Sequence, residues 1–295
     1  MVRRLKNYKS FPLPARLLKT LSEIEFVFNT SFVTLHNVNY LALRMYDGSS
    51  QSIFAIIYVW KDENTIEKIN LSEYFYQKSG VVKVADPKMS IMNDEVYCTF
   101  NTGDSIDKPN DIFLLKINEY QITDYFICNY DERARTEKNW AFYMEDNKLF
   151  ALYNLNPLTI LEATGSEAHT IVFKTFFVDD NQCFKNFSIG TPLLKIDEGY
   201  GFIAHKKIFR KRKRLYLGRP FRLITGTNPQ IKANKQIVIH SLKSVLGAKH
   251  KFNKNLISCT YFSGIHRFGE NLILSYGIND IDWSVVTIKF KKIWP

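Results

Sequence analysis

Neither a membrane span nor a secretion signal is visible in this sequence. The longest apolar stretch, Ile53 to Trp60, is far too short to cross a bilayer. The start, Met1 to Lys6, is basic, but the apolar run of a signal peptide does not follow it. We therefore expect a cytoplasmic protein.

Cysteine is also scarce. The chain has 4 cysteines, none of them in a CxxC pair, and no His/Cys cluster has the spacing of zinc ligands. Buried, reduced thiols are the expected state. The segment Asp280-Ile281-Asp282 imitates the DxD motif of metal-dependent sugar transferases, but that motif belongs to α/β nucleotide-binding folds. We accordingly predict neither a metal nor another cofactor.

What the sequence does contain is aromatic and basic. The 295 residues are 45% hydrophobic and 15% aromatic, which excludes a disordered chain and favours β-strands in one large domain. Amphipathic helical periodicity is best near Ala15 to Ile24. The formal net charge of +11 predicts attraction to an anionic partner, such as nucleic acid, anionic lipid, a sugar nucleotide or a phosphorylated glycan.

One pattern occurs five times along the chain. Each copy has a strand-like segment, a polar turn and a second apolar strand, as expected of a β-hairpin. The intervals between successive copies are similar, except that the fourth is longer. The paired segments are 31–35 with 40–44, 87–91 with 96–100, 140–144 with 149–153, 192–196 with 201–205, and 263–267 with 272–276.

These hairpins predict an all-β fold, a single five-bladed β-propeller over residues 1–295. A four-stranded blade needs roughly 40–50 residues, so five blades account for the chain. The long interval predicts a basic insertion in the fourth blade at about residues 206–236, and residues 1 to about 25 form a short N-terminal extension. The alternative is that five hairpins resemble one another by chance or form a sandwich.

A propeller places the first strand of each blade along its central channel, so equivalent repeat positions form rings around the axis. Two rings are rich in polar and aromatic side chains, and a converging set of this kind would make a pocket for a sugar phosphate. Aromatic faces suit sugar C–H surfaces, and Arg or His suits phosphate oxygens. The ring members before the first strands are Asn29 and Thr30, Ala85 and Asp86, Lys138 and Asn139, Gly190 and Thr191, and Tyr261 and Phe262, and those at the ends of the second strands are Arg44, Phe100, Tyr153, His205 and Tyr276.

Several of these side chains have a purely structural alternative. Asp86 begins an Asp-Pro pair, which often only opens a turn. His205 could be a hydrogen-bonded core histidine, and Arg44 could pair with Asp47 at a strand end. Trp140 could pack in the core instead of forming a platform for a sugar.

Motifs in order along the chain carry a resemblance to a known family. The chain resembles the five-bladed β-propeller superfamily of inverting β-mannoside phosphorylases, similar to glycoside hydrolase family 130, and the related β-1,2-mannosyltransferases. The resemblance runs from about residue 29 to 289. The motifs are Val84-Ala85-Asp86-Pro87-Lys88, Glu137-Lys138-Asn139-Trp140, Gly190-Thr191-Pro192-Leu193, Gly199-Tyr200-Gly201-Phe202 leading to His205, and Ser275-Tyr276-Gly277-Ile278-Asn279-Asp280.

The resemblance implies roles for individual residues. In that family the Asp of an Asp-Pro-Arg motif is the acid/base, and Asp86 matches it, whereas Lys88 stands where the family has Arg. Candidate phosphate- or nucleotide-binding residues are Arg135, Lys138, His205 and Lys206. Candidate substrate contacts are Asn29, Arg44, Asn139, Trp140, Tyr153, Tyr261, Tyr276 and Asp280.

The implied chemistry is a single displacement at the anomeric carbon. In phosphorolysis an acid protonates the leaving oxygen while phosphate attacks, and in synthesis the same carboxylate deprotonates the acceptor hydroxyl. In the family this proton can pass through a substrate hydroxyl. One carboxylate can thus serve a phosphorylase or an inverting transferase, depending on whether the basic pocket holds phosphate or the diphosphate of a nucleotide sugar.

A basic run, Lys206 to Arg214, directly follows His205. One interpretation is a solvated hairpin. The other is an electrostatic collar for a nucleotide sugar, a phosphorylated acceptor or an anionic membrane surface. No recognised nucleic-acid module accompanies the charge, so nucleic acid is not the expected partner.

The leading hypothesis is an inverting glycosyltransferase, a mannosyltransferase that uses a nucleotide sugar in glycan synthesis. The basic charge and Lys88 favour it over an inverting β-mannoside phosphorylase, which is the first alternative. The second alternative is a non-catalytic propeller that binds glycans or proteins. The expected partners are a sugar nucleotide or sugar phosphate donor and a carbohydrate acceptor.

Overall fold

Antiparallel β-strands make up most of the molecule, as the aromatic and β-branched residues predict. The structure is a computed structural model that describes residues 1–103, 109–197, 199–210, 212–250 and 253–294. The chain begins with β1 (Val2–Arg4), a 3-10 turn (Leu5–Asn7) and helix α1 (Ala15–Ser22), which is the helix predicted near this position. Leu17 and Leu21, one turn apart, bury its apolar face.

Three groups of four strands follow, each antiparallel within itself, and the last strands of the second and third groups pair in parallel, which joins these two groups into one eight-stranded sheet. The first group contains β2 (Phe26–Leu35), β3 (Val38–Asp47), β4 (Ser52–Trp60) and β5 (Ile66–Asn70). Helix α2 (Leu71–Ser79) leads to the second group, β6 (Ala85–Met92), β7 (Glu95–Asn101), β8 (Ile112–Asn118) and β9 (Gln121–Tyr130). The third group contains β10 (Ala141–Glu145), β11 (Lys148–Leu155), β12 (Leu158–Glu167) and β13 (Thr170–Asp179).

Two further groups complete the described chain. The fourth is centred on a long strand pair and contains β14 (Phe187–Ile189), β15 (Leu194–Ile196), β16 (Gly199–Arg210), β17 (Lys213–Ile224), β18 (Gln230–Ala233) and β19 (Ile237–Ile239). After the short helix α3 (Leu242–Val245), the fifth contains β20 (Leu256–Phe268), β21 (Asn271–Ile278) and β22 (Asp282–Lys289), followed by a 3-10 turn (Phe290–Lys292).

All five hairpins predicted from the sequence are present. The pairs are β2 with β3, β6 with β7, β10 with β11, β15 with β16, and β20 with β21, each antiparallel. The fold is all-β and propeller-like. The four cysteines are free thiols, three of them buried and Cys183 exposed.

Five apolar cores lie between successive strand groups of the described chain. The first four cores join each group to the next. The fifth joins the last group back to the first, with Ile273 and Val285 packed in the same cluster as Phe32 and Leu41. Each group therefore buries both of its faces against neighbours, and this closes the groups into a ring.

The N-terminal segment fastens the ring. β1 pairs in parallel with β19. Further along, the Phe11 N–H donates to the Val285 carbonyl and the Thr287 N–H donates to the Lys9 carbonyl, both at 2.9 Å. The segment expected to be an extension is thus paired with strands of the last two groups.

The basic run belongs to a strand pair. β16 and β17 pair continuously from Tyr200–Leu223 to Arg210–Lys213, so residues 206–210 and 213–214 form the outer half of one hairpin. Lys211, which belongs to the basic run, lies outside the described residues. The predicted insertion continues through the rest of β17 and through β18 in the same sheet.

Inner strands of the first and last groups approach too closely for a side chain at Gly264. A Cβ there would lie 2.8 Å from the backbone nitrogen of Phe32 and 2.8 Å from Cα of Ser31. Backbone atoms at that distance cannot yield as a flexible side chain can. A Cβ added at Gly165, on β12, would instead meet no heavy atom within 4 Å.

We predict that Gly264→Ala lowers the free energy of unfolding by about 1–3 kcal/mol, because the added methyl overpacks the contact between β20 and β2. Gly165→Ala is the control and should change it by less than about 0.5 kcal/mol. Denaturant unfolding measures both. Equal values for the two variants would mean that the strands do not meet as closely as described.

Candidate active site

All five strand groups contribute to a cavity of about 460 Å³ at the centre of the ring. Its charged lining contains five lysine or arginine side chains and two carboxyl groups. This surplus of positive charge favours an anionic ligand. The charged residues are Arg44, Lys83, Lys138, Lys207, Arg214, Asp86 and Asp280.

Several lining residues adopt left-handed backbone conformations where strands begin or bend. The φ angles are +54° at Asn29, +52° at Asp86 and +65° at Asn139. Asn29 and Asp86 also lie where the strand register shifts, as at a β-bulge. Bulges re-aim side chains next to functional sites, and Asn and Asp tolerate positive φ better than most residues. The fold thus turns these three polar side chains towards the centre.

Asp86 is the hub of a hydrogen-bond network. Its Oδ1 accepts from Asn29 Nδ2 at 2.9 Å and from Arg44 Nη1 at 3.2 Å. Its Oδ2 accepts from the Tyr261 hydroxyl at 3.2 Å, which also lies 3.2 Å from Oδ1 of Asn139. Arg44 therefore pairs with Asp86 and not with Asp47, the structural alternative.

The surroundings of Asp86 favour its ionised form. Burial alone would raise the pKa of this carboxyl. The charges of Arg44 and Lys88, together with the donated hydrogen bonds, outweigh burial and hold the pKa below its usual value. Asp86 is therefore a carboxylate at neutral pH, ready to accept a proton.

Lys88 extends this network through a hydrogen bond to Asn139. The side chain is buried, and its Nζ donates to Asn139 Oδ1 at 2.8 Å. Burial lowers the pKa of Lys88 to about 8, although the charge of Asp86 acts in the opposite direction. A single ammonium here holds Asn139, which in turn lies against Tyr261.

His205 lies beside the same network. The ring is fully buried, and its Nε2 accepts from the backbone N–H of Phe262 at 2.8 Å, so the neutral ring carries its proton on Nδ1. Burial, followed by the charges of Lys88 and Lys207, lowers its pKa to about 3. His205 is hence a neutral residue at physiological pH and not a cationic phosphate ligand.

The cations form a cluster on one wall of the cavity. Lys207 follows His205 by two residues on β16, and Arg214 and Tyr216 lie on the paired strand β17. Burial, then the charges of Arg214 and Lys138, lower the pKa of Lys207. Among the described residues, neither Lys207 nor Arg214 forms an ion pair with a carboxylate. Their charge is available to an anion.

Asp280 supplies the second carboxyl of the cavity. Burial and then the charge of Asp86 raise its pKa to about 6, against the lowering effects of Arg44 and Arg214. Asp282 is exposed and accepts a hydrogen bond from the next backbone N–H at 2.7 Å. The two carboxylates of the DxD-like segment thus sit in different surroundings. Across the described chain, no three His, Cys, Asp or Glu side chains are grouped as metal ligands.

Two predicted substrate contacts lie in the core instead. Tyr276 is fully buried, and its hydroxyl lies 3.1 Å from His240 Nδ1. Trp140 is buried among aromatic rings and donates its Nε1–H to Glu137 at 2.8 Å. Neither lines the central cavity, although Trp140 lines a small neighbouring one together with Asp86 and Asn139. The predicted sugar contacts of Trp140 and Tyr276 stay predictions.

Three more predicted residues lie outside the lining of this cavity. Tyr153 donates its hydroxyl to Glu137 at 2.9 Å and lines an adjoining cavity of about 350 Å³, which shares Lys138 and Lys207 with the first. Arg135 is exposed. Lys206 points to the opposite face of β16 from His205, because side chains alternate along a strand. The candidate residues that do line the central cavity are Asn29, Arg44, Asp86, Lys138, Asn139, His205, Tyr261 and Asp280.

The sequence placed Lys207 and Arg214 in a basic run that could form a collar for the ligand, but it did not single them out as lining residues, and it did not indicate Tyr216. A signal for Lys207 was present, because strand alternation places it on the same face as His205. Arg214 and Tyr216 depend on the register between β16 and β17, which their turn determines. Phe100 likewise packs in the core, while its neighbour Asn101 lines the cavity.

The fold is similar to those of solved carbohydrate-active enzymes. One similar structure comes from work on the GH130 family of mannoside phosphorylases, which contains glycoside hydrolases that target β-1,2 mannosidic linkages in Candida mannan. It has a TM-score of 0.63 and 10% sequence identity, and the match covers 90% of this chain and 85% of that one. The β-1,2-mannobiose phosphorylase of Listeria innocua has a TM-score of 0.58 and 13% identity, covering 92% and 91%. A glycosyl hydrolase of Bacteroides ovatus has a TM-score of 0.62 and 10% identity, covering 90% and 85%.

At these identities the likeness establishes the propeller-like fold alone. No family model matches the sequence, and no curated protein matches it. Within the described residues, no helix has the length and apolar character needed to cross a bilayer.

We predict that the neutral, buried state of His205 makes folding sensitive to acid. Its pKa is about 3 when folded and about 6.5 when unfolded, so the unfolded chain binds the proton first as pH falls. Its contribution is a loss of about 2 kcal/mol in unfolding free energy between pH 8 and pH 5. His205→Gln keeps a hydrogen-bond acceptor for the Phe262 N–H. In this variant the measured difference in unfolding free energy between pH 8 and pH 5 should be smaller by that amount. Identical pH dependence in both proteins would contradict the assignment.

Proposed function

We propose that this chain is an enzyme that cleaves a β-mannosidic bond by inverting phosphorolysis. The observation that carries the proposal is one cavity in which a hydrogen-bonded carboxylate, Asp86, shares the space with a wall of cations. Asp86 can exchange a proton with the glycosidic oxygen, and the cations can hold phosphate. The mannoside class is taken from the solved structures of similar fold.

We also infer that the five strand groups are five propeller blades. The cyclic order of the five apolar cores supports this. In that arrangement β2, β6, β10, β14 and β20 begin the blades, and β15 continues the first strand of the fourth blade along β16. Their inner ends meet at the axis, which is where the cavity lies.

In the proposed reaction a phosphate oxygen attacks the anomeric carbon while the glycosidic C–O bond breaks. The departing oxygen receives its proton from the protonated form of Asp86, and the products are an α-mannosyl phosphate, a shortened sugar and the Asp86 carboxylate. Lys207, Arg214 and Lys138 hold the phosphate and offset its charge. In the reverse direction Asp86 accepts the proton of the acceptor hydroxyl.

Phosphorolysis is preferred here to transfer from a nucleotide sugar, the leading hypothesis from sequence. The similar solved structures are described as phosphorylases and glycoside hydrolases. The features that suggested a transferase were the basic charge of the chain, which a phosphate-binding pocket accounts for equally well, and Lys88 in place of Arg. Lys88 is buried against Asn139, so its place in the network does not call for a diphosphate.

Hydrolysis is the second candidate, and Asp280 favours it. The pKa of Asp86 lies below its usual value and that of Asp280 is raised to about 6. Two carboxyl groups whose pKa values are pushed apart are the usual arrangement of a general base and a general acid. Water activated by one of them would replace phosphate as the nucleophile.

A single assay separates these reactions. The protein is incubated with β-1,2-mannobiose with and without phosphate, and separately with GDP-mannose and mannose. Phosphorolysis gives mannose 1-phosphate, detected by phosphorus NMR, only when phosphate is present. Phosphate-independent release of mannose would establish hydrolysis. Transfer of mannose from GDP-mannose to the acceptor, without any turnover of mannobiose, would establish the transferase.

We predict that Asp86→Asn lowers turnover by about 10²–10⁴-fold, because the amide keeps the shape but cannot exchange the proton. Circular dichroism should show an unchanged fold. Asp282→Asn is the control, since Asp282 is exposed and does not line the central cavity. It should retain full turnover. Full turnover in Asp86→Asn would remove Asp86 from the mechanism.

We predict that sulfate, a stand-in for phosphate that stays a dianion, binds more weakly as pH rises from 5 to 7. Asp280 has a pKa of about 6 and becomes negative over this range. The added repulsion should weaken binding by roughly fivefold to tenfold. Asp280→Asn should remove this pH dependence and Asp282→Asn should not, as measured by calorimetry at constant ionic strength. A flat profile in the wild type would show that the anion binds elsewhere.

A further inference from the structure

We propose that one face of the β16–β17 hairpin extends the cavity into a binding site for the anionic, distal part of an oligosaccharide. This inference rests on the proposed function, since it assumes that the cavity holds a sugar. The face is formed by Lys207, Phe209, Arg214 and Tyr216 and is called the hairpin face below.

The register of the hairpin decides which side chains share this face. Directly paired residues of an antiparallel pair lie on the same side, and the pairs here are Lys207–Tyr216 and Phe209–Arg214. Three of these four residues line the cavity. The fourth, Phe209, must therefore project on the cavity side, one step beyond its rim.

A row of three rings leads from the cavity floor to a cation at this rim. The Tyr261 hydroxyl contacts Asp86, and its ring lies 4.5 Å from the His205 ring, centroid to centroid. The His205 ring lies 6.1 Å from that of Tyr216, and the Arg214 guanidinium carbon lies 5.9 Å above the Tyr216 ring. The next residue on the face is Phe209, the cross-strand partner of Arg214.

Phe209 is placed for binding and not for packing. Its side chain is 58% exposed although it lies within a strand. It follows His205 by four residues, which is about 13 Å along the strand. That distance exceeds the length of one hexose. A disaccharide cleaved at Asp86 has one hexose on each side of the broken bond, so it would not reach Phe209, whereas a longer chain would.

The chemistry of the face identifies the ligand class. Aromatic rings offer flat apolar surface to sugar C–H groups, and guanidinium and ammonium groups bind phosphate or carboxylate oxygens. Each cross-strand pair on the face contains one aromatic residue and one cation. An oligosaccharide that carries a phosphate matches this alternation better than a neutral one.

The opposite face of the hairpin provides a matched control. Ile208 and its partner Leu215 lie there, and Ile208 is also exposed, at 37%. A lipid surface would engage the outer end of the hairpin through Ile208 as well as Phe209. A glycan that leaves the cavity would contact Phe209 alone.

The test compares Phe209→Ala with Ile208→Ala by affinity electrophoresis in gels containing neutral mannan or phosphomannan. The wild type should be retarded more by phosphomannan, and the difference should shrink at high salt, because exposed charges are screened over about 10 Å at 0.1 M. Phe209→Ala should weaken retardation by roughly twofold to tenfold. Ile208→Ala should match the wild type.

Turnover of β-1,2-mannobiose is measured on the same variants and should be unchanged in both. Retardation does not require turnover, so an inactive but retarded wild type would refute the proposed function and leave the hairpin face standing. Equal retardation of both variants, or no retardation of the wild type, would overturn the hairpin proposal. Binding to phosphatidylserine-containing vesicles that both variants lose, with mannan retardation unchanged, would assign the hairpin to a lipid surface and also overturn it.

Discussion

A carboxylate that stays ionised at the centre of the ring is the constraint on which the rest of the site depends. Burial would drive Asp86 towards its neutral form, and only donated hydrogen bonds and nearby cations prevent this. Asn29 and Arg44 come from the first strand group and Tyr261 from the last. Because these donors are distant in sequence, the network exists only when the apolar cores have closed the ring.

The same closure explains why the cavity is cationic. Arg44 and Lys88 are committed to Asp86 and its neighbours, so they compensate the carboxylate. Lys207 and Arg214 enter from another group, with no carboxylate paired to them among the described residues. The cavity therefore has one region that is balanced and one that carries excess positive charge. A reaction between a neutral sugar and an anion needs both regions side by side.

Repetition in the sequence was sufficient to predict the hairpins and the residues that begin the inner strands. Asn29, Asp86, Asn139 and Tyr261 occupy similar repeat positions, and they meet in one network. Short polar residues before an apolar strand were a usable signal, because the bulges that aim them need a left-handed backbone. This part of the site follows from local pattern plus circular order.

Positions that depend on register could not be predicted in the same way. The register shift in β20 falls after Phe262, later in its repeat than the shift in β2 after Phe28. A shift of one residue moves a side chain to the other face of the sheet, so Tyr276 packs in the core although Arg44 reaches the cavity. The basic run posed the same problem, because its charges face the cavity or solvent according to the hairpin turn.

The most direct test of this account is a crystal structure of the protein grown or soaked with sulfate. The account predicts a sulfate ion in the central cavity, bound by Lys207 and Arg214 and facing the network of Asp86. An ordered sulfate elsewhere on the protein, with the central cavity free of any anion, would contradict it.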